Sequence, residues 1–425
     1  MSSAIKKSLY FVVAAYFAFW ARIVLWRWRP RIVVITGSSG KTTLLHLVEA
    51  QLGDRVIYSH HANSAIGLPF HILGLDTNVE VKWRWLAHML RAPIKAFRKV
   101  PDRKIYITEV DTDRPREGKF LAGLLKPEVT LWISVYNTHS MNFDELVHSG
   151  AFKNHRSAIA YEFGHLIENT TKLVVVNSDQ AEIIQQLDRV PKNTKVEQAS
   201  VKKIARYQFG IDKTVYQLDE QNISVPGLHP KELGVSLQLV NKLLEYLNEP
   251  LDNDYSKLVM PPGRTNIFKG IRGITIVDST YNTGLGAMTV ILKLFNGLQA
   301  KNKWLIFGDI LEQGSIEQDQ HEKLAKVISD MKVDRVVLLG PRTKKHTYPL
   351  LKQKLSVPVV SFESPKEVLD YLLENLRGGE TLLFKGGRFL EGVIEQLLTN
   401  PAQAKELVRR EKLWVKRRQK WGLPR

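Results

Sequence analysis

The chain has 425 residues, of which 44% are hydrophobic and 24% are charged, so it can form two or three domains and is not a disordered chain. It contains no cysteine, which excludes disulfides, thiolate-bound zinc, iron–sulfur clusters and cysteine nucleophiles. The formal net charge of +18 is concentrated in residues 1–31, 82–104 and 401–425, so the remainder of the chain is close to neutral.

The basic segments also carry aromatic residues, among them Trp26 and Trp85. A mixture of basic and aromatic residues is typical of segments that lie against anionic lipid. Solvated surface helices are the alternative interpretation. No RNA- or DNA-binding motif accompanies the charge, so the sequence argues against a nucleic-acid partner. We therefore expect residues 8–26, 82–104 and 401–425 to contact a membrane surface.

The first predicted element is a hydrophobic helix within residues 1–30. Residues 8–26 form a run whose only charge is Arg22, and at 1.5 Å per residue this run reaches ~28 Å, about the hydrocarbon thickness of a bilayer. The run is apolar on all sides, which favours a membrane anchor that spans the bilayer once. An in-plane helix and a buried protein helix stay open. A cleaved signal peptide is disfavoured, because no small-residue cleavage site follows.

A phosphate-binding loop follows the first predicted strand. Residues 31–36 are rich in β-branched residues and predict a short buried strand. A glycine-rich turn and an apolar helix from Leu44 come next, an arrangement that points backbone N–H groups and a helix dipole at a polyphosphate. The loop has the short G-x-x-G-K-T form, since Ile35 occupies the position where the longer pattern has glycine. The predicted nucleotide-binding residues are Gly37, Ser38, Ser39, Gly40, Lys41, Thr42 and Thr43.

The remaining pattern predicts two α/β domains in succession. Residues 31–248 alternate strands and helices, as a parallel-sheet ATPase domain does. Residues 249–263 contain three prolines and indicate a linker. Residues 264–400 alternate strands and helices again and predict a Rossmann-like α/β domain. In residues 401–425 the apolar residues are spaced to form one stripe on a basic amphipathic helix.

Further motifs occur along both predicted domains. They are, in chain order, Asn63–Pro69, Glu109 with Asp113–Pro115, His139, Val176–Asp179, Pro262–Arg264, Asp278–Asn282, Gly308–Gly314 with His321, and Lys385–Arg388. Together with the short phosphate loop, this series resembles the Mur ligases, the ATP-dependent amide ligases of peptidoglycan synthesis, over roughly residues 31–400. The motifs that begin at Asp278, Gly308 and Lys385 are most similar to one branch, the UDP-N-acetylmuramoyl-tripeptide:D-alanyl-D-alanine ligases (the MurF branch).

The resemblance implies roles for individual side chains. The residues implied to bind Mg²⁺ are Thr42, Glu109 and His139. Those implied to be catalytic are Lys41, His139, Arg264 and Lys385. The residues implied to contact ATP, besides the phosphate loop, are Asp278 and Asn282. The residues implied to contact substrate are Asn63, Asp309 and Glu312.

The implied reaction joins a carboxylate to an amine and consumes ATP. The carboxylate is first phosphorylated to an acyl phosphate, and the amine then displaces phosphate to form an amide. In the favoured branch D-Ala-D-Ala is added to a muramoyl peptide. The use of ATP places the catalytic body in the cytoplasm, at the inner face of the membrane. Two alternatives stay open: a membrane-anchored ligase for a lipid-linked or poly-γ-glutamate acceptor, and an ATP-binding scaffold for cell-wall enzymes.

The sequence departs from the family pattern in two places. About 30 residues precede the phosphate loop, where family members carry a UDP-binding domain, so we expect that domain to be lacking. Phe163 occupies the place of the family's carbamoylated lysine, so a carbamate ligand for a second metal ion cannot form there. The alternatives at this position are a substitute ligand, Glu162 or His165, and a site that holds one metal ion.

Overall fold

The chain folds into two compact units. The computed structural model describes residues 3–60, 62–76, 82–281, 284–387 and 389–423. The first unit contains the chain up to Val135 together with Glu145–Ser200 and Val235–Leu251. The second unit contains Tyr136–Asp144, Val201–Gly234 and the chain from Asp252 onward.

The first unit is built on one parallel sheet. Its strands are β1 (Arg31–Thr36), β2 (Ile57–Tyr58), β3 (Ile105–Val110), β4 (Val129–Trp132), β5 (Leu173–Asn177) and β6 (Lys195–Ala199). They lie in the order β2-β3-β1-β4-β5-β6, and every pair is parallel. Val33 of β1 lies opposite both Ile107 of β3 and Val129 of β4. Strands covered on both faces need apolar side chains at nearly every position, which explains the continuous apolar runs in the sequence.

Helices connect the strands of this sheet. The helices before residue 248 are α1 (Ser3–Trp28), α2 (Lys41–Leu52), α3 (Gly67–Leu73), α4 (Lys82–Ala96), α5 (Glu117–Leu125), α6 (Asp144–His148), α7 (His155–Glu168), α8 (Ala181–Ile184) and α9 (Leu233–Leu247). The start of α7 is fixed by a capping box, in which the side chains of Asn154 and Ser157 each accept a hydrogen bond from the backbone N–H of the other.

The hydrophobic helix α1 is packed along one side within the first unit. Ala14, Phe17 and Ala21 on this side are completely buried, and the ring centroid of Phe17 lies 4.6 Å from that of Phe70 in α3. The segment Leu9–Trp28 is long and apolar enough to cross a membrane by length and composition. Its packing on α3 nevertheless makes α1 part of the protein's own structure, a point that the sequence left open.

The second unit contains two sheets. Its strands are β7 (Ile204–Phe209), β8 (Lys213–Leu218), β9 (Gln221–Pro226), β10 (Asn266–Lys269), β11 (Thr275–Ser279), β12 (Lys303–Gly308), β13 (Arg335–Leu339), β14 (Val359–Phe362) and β15 (Thr381–Lys385). Strands β7–β9 form a small antiparallel sheet. The others lie in the order β10-β11-β15-β12-β13-β14, parallel except for the edge strand β10. The five parallel strands confirm the predicted α/β architecture, whereas β10 and the small sheet were not predicted.

Two apolar layers cover the larger sheet of the second unit. Its helices are α10 (Leu285–Gly297), α11 (Glu317–Ser329), α12 (Tyr348–Lys354), α13 (Pro365–Asn375), α14 (Leu390–Leu397) and α15 (Lys412–Gln419). Alternate residues of β13 face opposite layers: Val336 and Leu338 pack with α10 and α11, and Val337 and Leu339 pack with α13 and α14.

The basic tail is not the continuous amphipathic helix that the sequence predicted. Residues 401–406 form a 3₁₀ turn, and α15 begins only at Lys412. Leu407 lies between the two and is buried in the core of the second unit. Arg410 forms a forked pair with Glu395 of α14, with an N–O distance of 2.9 Å. The spacing of apolar residues was therefore misread, because the turn directs Leu407 into the core and separates it from the later apolar residues.

Candidate active site

The glycine-rich loop between β1 and α2 is shaped by its contact with the segment that follows β4. Gly37 has φ 135° and Gly40 has φ 89°, backbone conformations that favour glycine. A Cβ atom on Gly37 would lie 2.8 Å from the backbone N and O of Ser134. Ser38 N donates to Ser134 O at 3.0 Å, and Ser39 N donates to Ser134 Oγ at 2.9 Å. The loop is thus held in one conformation, with α2 beginning at its end.

The position of this loop in the sheet is one where ligands bind in parallel α/β folds. β1 lies between β3 and β4, and the chain continues toward one side of β1 through β2 and β3 and then toward the other side through β4. Crevices at the carboxyl ends of strands form where the strand order reverses in this way. The N-terminus of α2 there suits an anion such as a phosphate chain.

Lys41, the first residue of α2, is held by two oxygen atoms. Its Nζ lies 2.7 Å from Oδ2 of Asp111 and donates to Gly37 O at 2.5 Å. Burial by itself lowers the pKa of Lys41, but the Asp111 carboxylate more than offsets this, so the pKa lies above its ordinary value. Lys41 is therefore a positive charge at neutral pH. Sequence reasoning missed Asp111, and the available signal was its position directly after β3.

Thr42 and Glu109 come together beside the loop, as predicted for a metal site. Thr42 Oγ1 donates to Glu109 Oε2 at 3.0 Å. Glu109 is the penultimate residue of β3 and is 6% exposed. A hydroxyl and a carboxylate are the hard oxygen ligands that Mg²⁺ prefers. The donor set in the first unit therefore fits Mg²⁺.

His139, the third predicted metal ligand, belongs to the second unit. Its Nδ1 lies 2.6 Å from Oε2 of Glu312, and this hydrogen bond is the main reason that the pKa of Glu312 lies below its ordinary value. Both residues have positive φ, 53° and 61°, so each sits at a sharp turn that directs its side chain. Metal binding by His139 and substrate contact by Glu312 stay predictions.

The residues around Phe163 do not replace the family's carbamate ligand. Phe163 is buried, with its ring centroid 6.0 Å from that of Trp132. The Glu162 carboxylate accepts backbone hydrogen bonds from Arg116 at 2.7 Å and Gly118 at 3.1 Å, and so caps the start of α5. Burial raises the pKa of Glu162, partly offset by these hydrogen bonds.

His165, the other substitute ligand considered from the sequence, is occupied in a surface network. Its Nδ1 lies 2.9 Å from Glu168 Oε2 and 2.9 Å from an Nη atom of Arg189. Both substitutes are therefore engaged elsewhere, for a local reason in each case: helix capping for Glu162 and surface ion pairing for His165. A site that holds one metal ion stays a prediction.

The loop that contains Asn63 lies against Asp111, the residue that pairs with Lys41. Asn63 O accepts a hydrogen bond from Asp111 N at 2.8 Å. The next turn is held by Glu117, whose Oε1 accepts from Ala65 N at 2.9 Å. This loop thus borders the phosphate loop through Asp111, while a substrate contact of Asn63 stays a prediction.

In the second unit, Lys385 and Asp278 lie on neighbouring strands and close one turn. Asp278 is buried, and its Oδ1 accepts hydrogen bonds from Thr280 N at 2.9 Å and Thr280 Oγ1 at 2.7 Å. Lys385 Nζ donates to Ser279 O at 3.0 Å and to Tyr281 O at 2.9 Å. Burial, with a contribution from nearby Arg264, lowers the pKa of Lys385 to about 7. Asn282, the other predicted nucleotide residue, lies outside the described residues.

Arg264 joins the same cluster of the second unit. Its guanidinium carbon lies 4.1 Å from the ring centroid of Tyr281, and Nη1 donates to Pro262 O at 2.9 Å. The guanidinium therefore makes a cation–π contact with the half-exposed Tyr281 ring. Sequence reasoning named Arg264, Lys385 and Asp278 separately, and the structure places all three around one turn.

Asp309 is fully buried and supports the segment after β13. Its Oδ1 accepts from Thr343 N at 2.9 Å, and its Oδ2 lies 3.6 Å from Arg342 Nη1. His321 is also buried, and its Nδ1 lies 3.1 Å from Thr347 Oγ1. The structure therefore gives both residues a positioning function, and the predicted substrate contact of Asp309 stays untested.

Comparison with protein families identifies the chain. Residues 35–242 match the model of the Mur ligase middle domain, and residues 263–388 match that of the Mur ligase glutamate ligase domain. The chain belongs to the Mur ligase family. The two matched segments include the phosphate loop, Glu109, His139, Arg264 and Lys385.

Two of the similar proteins share one name. The UDP-N-acetylmuramoyl-tripeptide–D-alanyl-D-alanine ligase of Bacillus subtilis (strain 168) is 24% identical over 397 residues, covering 87% of this chain and 76% of that protein. The ligase of the same name from Synechocystis is 23% identical, covering 88% and 77%. The crystal structure of MurF ligase from Thermotoga maritima in complex with ADP has a TM-score of 0.71 at 19% identity, covering 90% and 83%. This structural likeness confirms the Mur ligase fold.

Proposed function

We propose that this Mur ligase is an ATP-dependent carbon–nitrogen ligase of peptidoglycan precursor synthesis that joins D-Ala-D-Ala to UDP-muramoyl-tripeptide. The relatives that share its whole α/β region carry this name. The observation that carries the proposal is the phosphate loop, where Lys41 is paired with Asp111 and Thr42 is hydrogen-bonded to Glu109. A site of this kind binds a nucleoside triphosphate and neutralises its charge.

The first half-reaction forms an acyl phosphate. An oxygen of the tripeptide carboxylate attacks the γ-phosphorus of ATP, the bond to the β,γ-bridging oxygen breaks, and ADP leaves. Both reactants are anions, so the barrier falls when fixed positive charge surrounds the transferring group. Lys41 supplies one such charge at the N-terminus of α2. Thr42 and Glu109 would hold Mg²⁺, which supplies further positive charge when bound.

The second half-reaction forms the amide. The amine of D-Ala-D-Ala attacks the acyl carbon, the carbon–oxygen bond to the phosphoryl group breaks, phosphate leaves, and the amine loses a proton. We assign Arg264 and Lys385 to stabilising the phosphate charge. Lys385 has a pKa near 7, so it also matches a group that exchanges protons near neutral pH. Asp278 holds the turn that presents these two side chains, through its hydrogen bonds to Thr280.

The enzyme is proposed to work at the cytoplasmic face of a membrane, where ATP is present. The support is the apolar helix α1 and the basic segment 82–104. A lipid-linked muropeptide is the second candidate acceptor, and the observation that favours it is the same apolar and basic surface. A poly-γ-glutamate acceptor and an ATP-binding scaffold are outcomes of the experiment below.

Phosphate release by the purified full chain with ATP and Mg²⁺ tests the function. D-Ala-D-Ala and UDP-muramoyl-tripeptide are supplied together and each is omitted in turn, with the product identified by mass spectrometry. Release that requires both substrates, and a product heavier by the dipeptide, supports the proposal. The UDP-linked substrate is then replaced by a lipid-linked muropeptide or by poly-γ-glutamate, and release that requires one of these supports that acceptor. ATP binding without release under any of these conditions contradicts the ligase and leaves the scaffold.

A further inference from the structure

We propose that the outer face of α1 and α4 docks the first unit on an anionic lipid bilayer, with both helices lying in the plane of the interface. The outer face consists of Leu9, Val12, Phe19 and Trp26 of α1 with Leu86, Leu90, Ile94 and Phe97 of α4 and its end. The inference deepens the membrane location proposed above and is independent of the ligase chemistry.

The two helices lie side by side on a common support. Tyr16 of α1 donates its hydroxyl to Met89 O of α4 at 2.7 Å. Phe70 of α3 contacts both helices, with ring centroids 4.6 Å from Phe17 of α1 and 5.9 Å from Trp85 of α4. Because the inner sides of both helices turn toward Phe70, their opposite sides form one surface directed away from α3.

This surface is unusually apolar. Its eight side chains are each between 51% and 74% exposed. Those of α4 recur every three or four positions, and those of α1 are separated by three, seven and seven positions, with the exposed residues Ala15 and Arg22 inside the two longer steps. The stripe on α1 from Leu9 to Trp26 is ~26 Å long at 1.5 Å per residue. Soluble monomers rarely expose a contiguous apolar surface of this size, and such surfaces mark contacts with a membrane or a partner.

Charge selects the bilayer as the occupant. Arg22, Arg29, Arg91 and Lys99 are exposed on or beside these helices, and residues 82–104 contain eight basic residues and one acid. Apolar side chains bordered by basic ones suit an interface in which acyl chains lie beneath anionic headgroups. A second copy of the chain would bring the same positive charges together, which disfavours a symmetric dimer through this face.

The anchoring of α1 at both ends selects the in-plane orientation. Near its start, the Tyr10 hydroxyl donates to Glu117 Oε1 at 2.9 Å. At its end, Trp28 Nε1 donates to Arg103 O at 2.7 Å. A helix that crosses the bilayer must have its two ends on opposite sides, whereas both ends of α1 are fixed to the same unit. These two contacts are the reason that we propose the in-plane orientation in place of the spanning anchor that the sequence favoured.

Vesicle flotation of the full chain tests the docking surface. Vesicles of phosphatidylcholine with anionic phosphatidylglycerol are compared with vesicles of phosphatidylcholine alone. We expect binding to the anionic vesicles, and a loss of at least about tenfold in affinity for Ile94→Glu and for Leu90→Glu, because each replaces an apolar side chain at the proposed lipid contact by a charged one. Val259→Glu in the second unit is the matched control, since Val259 and Ile94 are both 74% exposed.

Environment-sensitive labels on single cysteines test the orientation. The natural chain has no cysteine, so Val12→Cys, Phe19→Cys and Leu90→Cys each give one labelled site. In-plane docking predicts a shallow and similar depth for all three labels. A spanning α1 predicts that the labels at residues 12 and 19 differ in depth by ~10 Å at 1.5 Å per residue, and this result would overturn the in-plane orientation.

Three further outcomes would contradict the proposal. They are no binding to anionic vesicles, binding that Ile94→Glu and Leu90→Glu leave unchanged, and a concentration-dependent dimer that these substitutions dissociate while vesicles have no effect. Phosphate release from the UDP-linked substrate without vesicles is measured in parallel. That assay reports on the ligase alone, so a failure of docking and a failure of the proposed function are distinguishable.

Discussion

Lys41 Nζ lies 2.7 Å from Asp111 Oδ2, which joins the start of α2 to the segment that follows β3. The parallel pairing of β1 with β3, in register from Arg31 and Ile105 onward, is what brings the two side chains together. A buried ammonium needs an opposite charge nearby, and Asp111 meets that need while the phosphate site is formed. The pair therefore keeps the phosphate loop ready for an anionic ligand.

Lys41→Ala is expected to reduce phosphate release by at least about a hundredfold, because a fixed charge at the transferring phosphoryl group is lost. Steady-state phosphate release with both substrates measures the effect. Lys99→Ala, at an exposed lysine, is the control and should retain full activity. The double variant Lys41→Ala/Asp111→Asn separates loss of charge from loss of fold, since it leaves no buried carboxylate without its partner. Normal turnover by Lys41→Ala would contradict the ligase mechanism.

Glu109→Gln is expected to raise the Mg²⁺ concentration that gives half-maximal activity by at least about tenfold, because the variant removes an anionic oxygen ligand. Titration of phosphate release with Mg²⁺ measures this change. The exposed Glu168→Gln serves as control, since Glu168 lies in a surface network with His165 and Arg189. An unchanged Mg²⁺ requirement would remove Glu109 from the metal site.

Glu162→Gln is expected to lower stability by about 1–2 kcal/mol, because the carboxylate that caps α5 is replaced by a weaker acceptor. The Mg²⁺ requirement should stay that of the wild type, since Glu162 is engaged with two backbone N–H groups. Urea unfolding and the same Mg²⁺ titration give the two readings. A shifted Mg²⁺ requirement with unchanged stability would return Glu162 to the metal site.

The lowered pKa of Lys385 predicts that the free energy of unfolding depends on pH. Its pKa is lowered from 10.5 to about 7 by burial, so between these values the unfolded chain binds a proton that the folded chain lacks. Stability should therefore rise with pH across this window, by up to ~1.4 kcal/mol per pH unit. Below pH 7 the penalty for burying the charged amine is fully present.

Urea unfolding at several pH values from 6.5 to about 9.5 measures this rise. Lys385→Met should show a flatter profile, because it has no amine to titrate. The exposed Lys323→Met is the control and should keep the wild-type profile, since Lys323 forms a surface pair with Asp319. A wild-type slope retained in Lys385→Met would contradict the lowered pKa.

Local patterns in the sequence predicted the strand β1, the glycine loop and the start of α2, because each depends on neighbouring residues. The family resemblance placed Thr42 and Glu109 at one metal site, and the structure brings the two side chains into hydrogen-bond contact. The Lys41–Asp111 pair was not predicted, since it depends on strand register. The function of Glu162 also depends on long-range packing, because the helix start that it caps lies far away in the sequence. The outer face of α1 could not be predicted either, because the contact with α3 determines which side of this all-apolar helix is buried.

Phe163 bears on whether the enzyme needs carbon dioxide. A carbamoylated lysine, as in the family that this chain resembles, forms by reaction of its amine with dissolved carbon dioxide. Here a buried aromatic ring packs against Trp132 at that place, and the adjacent Glu162 carboxylate is committed to a helix start. At this position the first unit has nothing that takes up carbon dioxide. We therefore expect that adding bicarbonate leaves the rate of phosphate release unchanged.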